Sequence, residues 1–181
     1  MRKVLYILGQ LDDLDVAWLA RQGHRTVLDL GKRLITEGER TDALYIVLEG
    51  GLAVTMRDGR SVATLGAGEV VGELSFVDSA PPSATVTAAE PSSLLAVPRD
   101  RLNAKLAEDQ AFAARFYKAM ALFLADRLRG TVRHFGYGQS EGGLATDEVL
   151  EDELDDSILD SVSIAGERFD RMLRILAGTA S

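Results

Sequence analysis

The sequence predicts a mainly β fold with helices at both ends, an antiparallel β-sandwich or jelly-roll barrel between helical flanks. Three observations carry this. Between His24 and Val97, short β-prone runs alternate with glycine turns. Asp58-Gly59 stands between two such runs and is a strong hairpin signal. Beyond Pro98, apolar residues recur at steps of three or four, the period of a helix.

Taken in order, Val4 to Leu8 is an apolar run too short to decide between a strand and a helical turn. Asp13 or Asp15 is placed to cap a helix through Val16, Trp18, Leu19 and Ala20, which Gly23 would end. Strands are expected at 26–28, 33–36, 43–48, 52–56, 61–65, 84–88 and 93–97. Gly31, Gly38, Gly50-Gly51, Asp58-Gly59 and Gly66 supply the turns between them. Short strands at near-regular spacing fit a closed or double-layered antiparallel architecture.

After Pro98, Asp100 can cap a helix through Leu102 to Ala107. A long helix is expected from about Asp109 to Phe135, stopped by Gly136 and Gly138. Its apolar positions include Phe112, Phe116, Met120, Phe123, Leu124, Leu128 and Val132, with Tyr117 and Leu122 on other faces. Such a helix needs more than one partner surface. One face covers the β region, and the other pairs with a second copy or packs within the monomer. Residues 1–138 therefore form one domain, and 139–181 an acidic linker and tail. In that tail, 139–147 reads as a flexible linker. Residues 164–177 read as an amphipathic helix with Phe169, Met172, Leu173 and Leu176 on one side and Arg168, Arg171 and Arg174 on another. It would dock on a protein partner, on its own domain, or on nothing.

Composition narrows the function classes. The chain has 181 residues, a 46% hydrophobic fraction and no cysteine, which excludes disulfides and thiolate metal sites and fits a cytoplasmic location. The N-terminal apolar run is too short for a signal peptide or a membrane span. The net charge of −8 sits entirely in the tail, because 1–138 balance acid against base. A DNA-binding module would carry the opposite sign, so no DNA partner is expected. His24 and His134 are the two histidines and lie far apart, so no metal cluster is expected.

The most informative stretch is 66–86. Turn glycines Gly66 and Gly68 lead to Val70-Val71, and Gly72-Glu73-Leu74-Ser75-Phe76 can then open a short helix. Free backbone N–H groups at such a start attract an anion. Pro81-Pro82 forces an extended connection into Ser83, Ala84, Thr85 and Val86.

This stretch resembles the phosphate-binding cassette of the cyclic-nucleotide-binding domain family. Gly72, Glu73, Leu74 and Ser75 match its first half, and Ser83, Ala84, Thr85 and Val86 match its second. The Leu44 to Gly50 run and Gly31 and Gly38 match as well, so the resemblance covers about 15–135. It selects the jelly roll (double-stranded β-helix) flanked by an N-terminal helix and long C-terminal helices. It implies cAMP or cGMP as ligand, with backbone N–H groups and an arginine on the phosphate and the glutamate on the ribose 2′-hydroxyl. It assigns Gly72, Glu73, Leu74, Ser75, Ser83 and Ala84 to the pocket, Thr85 less directly. In the Ala125 to Val132 run it places Thr131 where family regulators contact adenine. The family's arginine falls on Pro82, which has neither charge nor N–H. No Lys or Arg occurs from Ser61 to Pro98, so a phosphate would find no cation in its own segment, and Arg129 or Arg133 reaching in from the long helix would partly rescue binding.

Two functions from different classes follow. One is a non-enzymatic regulatory module that senses a cyclic nucleotide or another anionic ligand and signals through its C-terminal helix to a protein partner. The other is a degenerate, nucleotide-independent interaction or scaffold protein assembled through the long helix and the acidic tail. No nucleoside-triphosphate loop, nucleophile elbow or catalytic carboxylate pair is present, and Glu73 and Asp78 read as structural residues of a capped turn.

Overall fold

The computed structural model describes residues 4–137 and 156–178. Two short helices, α1 (Val4–Gln10) and α2 (Asp13–Gln22), precede eight strands. These are β1 (His24–Leu28), β2 (Arg33–Ile35), β3 (Ala43–Glu49), β4 (Gly51–Thr55), β5 (Ser61–Gly66), β6 (Val70–Val71), β7 (Thr85–Ala88) and β8 (Ser92–Pro98). Helix α3 (Glu73–Asp78) interrupts them between β6 and β7. Helices α4 (Arg99–Glu108), α5 (Gln110–Tyr137) and α6 (Asp156–Leu176) follow.

The strands form two four-stranded antiparallel sheets, ordered β1-β8-β3-β6 and β2-β7-β4-β5. This is the expected jelly roll with helices before and after it. Strands β3 and β8 of the first sheet are buried on both faces. Leu44, Ile46, Leu48, Leu95 and Val97 point into the core shared with the helices. Val47 and Leu94 point into the space between the sheets, against Leu52, Leu65 and Val86. That double burial explains why β3 and β8 read as continuous apolar runs rather than alternating ones. The hairpin at Asp58-Gly59 forms as expected, with Gly59 at φ +83°.

Several boundaries differ from the sequence reading. The ambiguous Val4–Leu8 run is helical. The cap of α2 is Asp12, not Asp13 or Asp15; its side chain accepts from the Asp15 N–H while the Asp15 carboxylate accepts from the Asp12 N–H. Helix α4 starts at Arg99, so Asp100 lies in its first turn. Gly136 does not stop α5, which continues to Tyr137; Gly138 and the linker at 139–147 lie outside the described residues. A single glycine costs about 1 kcal/mol in a helix, too little to end one of this length.

Helix α6 packs on α1 and α2. Ala165, Phe169 and Met172 are buried in the same core as Ile7, Leu8, Leu11 and Val16. Arg168 donates to Asp13 Oδ1 at 2.8 Å and to the Leu8 carbonyl at 2.9 Å, satisfying an oxygen in the last turn of α1. Arg171 donates to Asp13 Oδ2 at 3.2 Å. The basic side of α6 is therefore spent partly on its own N-terminal helices.

These bonds carry a prediction. The Arg168 hydrogen bond is the main cause holding the Asp13 carboxyl below the usual aspartate range. A depressed acid stabilises the fold above its unfolded pKa and loses that contribution as pH falls through the folded value. Arg168→Ala is expected to cost about 1–2 kcal/mol and to speed hydrogen exchange across 164–176 at neutral pH. The difference from the parent protein should shrink toward acid pH. Unchanged exchange would mean that α6 is held by its apolar face alone.

Candidate functional site

The cassette is built where β6 runs out of sheet. Gly72 takes φ +88°, a left-handed turn that lets α3 start at once. A Cβ at Gly72 would sit 3.1 Å from the Ala43 carbonyl, so the chain passes tightly over the start of β3. Helix α3 then buries Glu73, Ser75 and Phe76 while Leu74 and Val77 face outward, each half exposed. It ends at Ser79, at φ +61°. Asp78 Oδ1 accepts from the Ala80 N–H, which makes it a turn residue.

The second half of the cassette is tied to the β2–β3 loop. Gly38 donates its N–H to the Pro82 carbonyl at 2.8 Å, and Glu37 donates its N–H to Thr85 Oγ1 at 3.1 Å. Ser83 is exposed and Ala84 half-buried. The expected pocket residues Gly72, Glu73, Leu74, Ser75, Ser83 and Ala84 thus lie on one connection between β6 and β7, and Thr85 opens β7. Thr131 lies on α5, with its side chain outside the described residues.

Two arginines that sequence reasoning passed over fix this connection. Arg127 of α5 is ion-paired through Nη1 to Glu73 Oε1, and Glu73 is 3% exposed. Burial pushes the Glu73 carboxyl above the usual glutamate range, an effect that outweighs the opposing pull of Arg127. Arg99, at the start of α4, donates to the Ser75 carbonyl at 2.6 Å and to Ser79 Oγ at 3.2 Å, and lies over the Phe76 ring. It caps the C-terminal end of α3. Of the helix arginines proposed for an anion, Arg129 is exposed, and the Arg133 side chain lies outside the described residues.

An aromatic chain joins the cassette to the helices. Trp18, Phe112, Phe116 and Phe76 follow one another at 5.7 Å between ring centres. Farther along, Arg115 of α5 forks onto Asp15 of α2 at 2.6 and 2.9 Å. Motion of α5 would therefore be felt at both the cassette and the N-terminal helices.

Among the described residues no group of His, Cys, Asp and Glu is placed to hold a metal ion. No described helix is long and apolar enough to cross a membrane.

Comparison with known proteins places this geometry. Residues 25–109 match the family model described as the cyclic nucleotide-binding domain. The chain is 33% identical over 94 residues to a cAMP-dependent protein kinase regulatory subunit of Yarrowia lipolytica, a match covering 52% of this chain and 25% of that protein. It spans a quarter of that relative's length, so the relative's remaining parts have no counterpart in the match. A cyclic nucleotide-binding domain from Methylobacillus flagellatus superimposes with a TM-score of 0.68 at 24% identity, over 79% of this chain and 85% of that one. The regulatory subunit of a cAMP-independent protein kinase A from Trypanosoma brucei superimposes with a TM-score of 0.54 at 28% identity, over 74% of this chain and 44% of that one.

Proposed function

The chain belongs to the cyclic nucleotide-binding domain family, and from that premise we propose that it is a non-enzymatic regulatory module whose long helix is latched to its ligand cassette. The carrying observation is the ion pair between buried Glu73 and Arg127 of α5. A ligand hydroxyl that reaches Glu73 must share or displace Arg127. Ligand occupancy then shifts α5 between two positions, provided that the ligand binds one of them better. The module acts in the cytoplasm, and its output is a protein contact made by α5, not DNA.

The same helix offers a surface for a second copy. Tyr117, Ala121, Leu124 and Leu128 follow a four-three-four spacing along α5, with Tyr117 51% and Leu128 64% exposed. That spacing is the seam of a two-stranded coiled coil. It supports a homodimer, which sedimentation equilibrium would read directly as a mass twice that of the chain.

A specific observation favours a second reading, a nucleotide-independent assembly module. Pro82 stands where the family's phosphate-binding arginine is expected, and the similar chain from Trypanosoma brucei is the regulatory subunit of a protein kinase A described as cAMP-independent.

Calorimetric titration with cAMP and then cGMP separates the two. Saturable binding, with a matching rise in thermal stability, supports the ligand-sensing module. No heat and no thermal shift moves the function to constitutive assembly. Pro82→Arg is expected to tighten cyclic nucleotide binding by about tenfold or more, the worth of one charge-assisted hydrogen bond. No gain would mean that the pocket between the cassette halves is closed.

A further inference from the structure

We propose that Arg40, on the β2–β3 loop, supplies the cation that the cassette lacks, and that the ligand it admits is a phosphodiester monoanion. This rests on the ligand-sensing reading above and names the group that makes it chemically possible.

Position comes first. The Arg40 loop bridges the two halves of the cassette. Its Glu37 and Gly38 N–H groups bind Thr85 and Pro82, on the second half. Its Thr41 methyl and the Ile35 side chain are among the nearest atoms to a Cβ built on Gly72, at 3.7 and 3.8 Å, on the first half. Arg40 lines two cavities beside this loop. One, of about 210 Å³, it shares with Ser75, Ser79 and Arg99. The other, of about 180 Å³, it shares with Ile35, Thr41 and Tyr45.

Availability comes second. Arg99 is committed to the carbonyls of α3, and Arg127 to Glu73. Arg57 lies beside Glu37. Arg40 is exposed and, among the described residues, makes no hydrogen bond or ion pair. A flexible guanidinium with five donors can turn into the first cavity and fork onto two phosphate oxygens.

Charge selects the ligand. Asp42 lines both cavities and Glu39 the second. In the first cavity the guanidiniums of Arg40 and Arg99 face the one carboxylate of Asp42, a net charge of +1, whereas the second sets Arg40 against both Glu39 and Asp42 and is net negative. A cyclic phosphodiester fits the balance of the first, whereas a phosphomonoester dianion does not.

The test is calorimetric, on the full chain, with cAMP, cGMP and 5′-AMP as probes. The parent protein should bind a cyclic nucleotide more tightly than 5′-AMP. Arg40→Ala should weaken cyclic nucleotide binding by about ten- to hundredfold without changing the melting temperature, since Arg40 is exposed and unpartnered. Arg40→Lys should fall between the two. Adding Pro82→Arg to Arg40→Ala should restore affinity, and the double-mutant cycle should be non-additive because both cations serve one phosphate. A parent protein that binds while Arg40→Ala binds equally well overturns the Arg40 assignment and leaves the ligand-sensing reading standing. Equal or tighter binding of 5′-AMP overturns the choice of a monoanion. A parent protein that binds no cyclic nucleotide overturns the ligand-sensing reading and, with it, the role of Arg40.

Discussion

Replacing Phe116 by alanine is expected to lower the unfolding free energy by about 3–5 kcal/mol, the usual range for emptying a buried aromatic site. Phe116 is 1% exposed and packs at 5.7 Å against both Phe112 and Phe76. Phe76 belongs to the cassette helix and Phe112 to the start of α5, so the cavity opens where the two meet. Urea denaturation followed by circular dichroism measures the loss. Hydrogen exchange should locate it, with 73–79 exchanging faster than β3 or β8. A loss below about 1 kcal/mol, in the range of a surface substitution, would mean that α5 does not rest on α3 as described. The consequence for function is direct: a loosened Phe116 contact shifts the link between cassette and helix onto polar contacts such as the Glu73–Arg127 ion pair.

The second large effect concerns that ion pair. Arg127→Met is expected to cost about 2–3 kcal/mol at neutral pH, somewhat less than for a fully buried pair because the Arg127 side chain is 26% exposed. The reason is the partner left behind. Glu73 is buried, and its carboxyl already titrates above the ordinary glutamate range because desolvation outweighs the attraction of Arg127. Without Arg127 it rises further. An acid whose pKa is higher folded than unfolded binds more protons in the folded state. Its contribution is therefore most favourable below the unfolded value and is lost as pH rises through the folded one. The variant should be closest to the parent protein in mild acid and should fall away toward pH 8. Glu73→Gln in the Arg127→Met background should recover much of the loss by removing the buried charge. A flat pH dependence, with no recovery in the double variant, would show that Arg127 acts by packing on Phe123, over whose ring it lies at 5.5 Å.

The sequence made much of the scaffold legible. Strand positions followed from β-prone runs between glycines, and the cassette from one short motif. These signals are local, because a turn residue or a branched side chain restricts its own backbone whatever surrounds it. The boundary errors are local too. Asp12, Asp13 and Asp15 are chemically equivalent candidates for one cap, and the reciprocal bonding that selects Asp12 appears only once the turn is built. Gly136 reads as a stop, yet propensity is weak against a helix held along much of its length by tertiary contacts.

The polar framework of the site was not legible. Arg127 meets Glu73 across 54 residues, Arg115 meets Asp15 across 100, and Arg168 meets Asp13 across 155. Nothing in the spacing of these residues marks them as partners, since each is one of many arginines and acids in the chain. The sequence by itself determined an antiparallel β region between flanking helices, because that depends on short-range backbone chemistry and apolar periodicity, and its resemblance to a known family selected the jelly roll and marked the cassette with its proline. The tertiary structure decided which arginine pairs with Glu73, where α6 rests and which cavities the β2–β3 loop lines with Arg40. Those choices depend on which charged groups the packed core brings within hydrogen-bond reach, and a chain read one residue at a time carries no record of that distance.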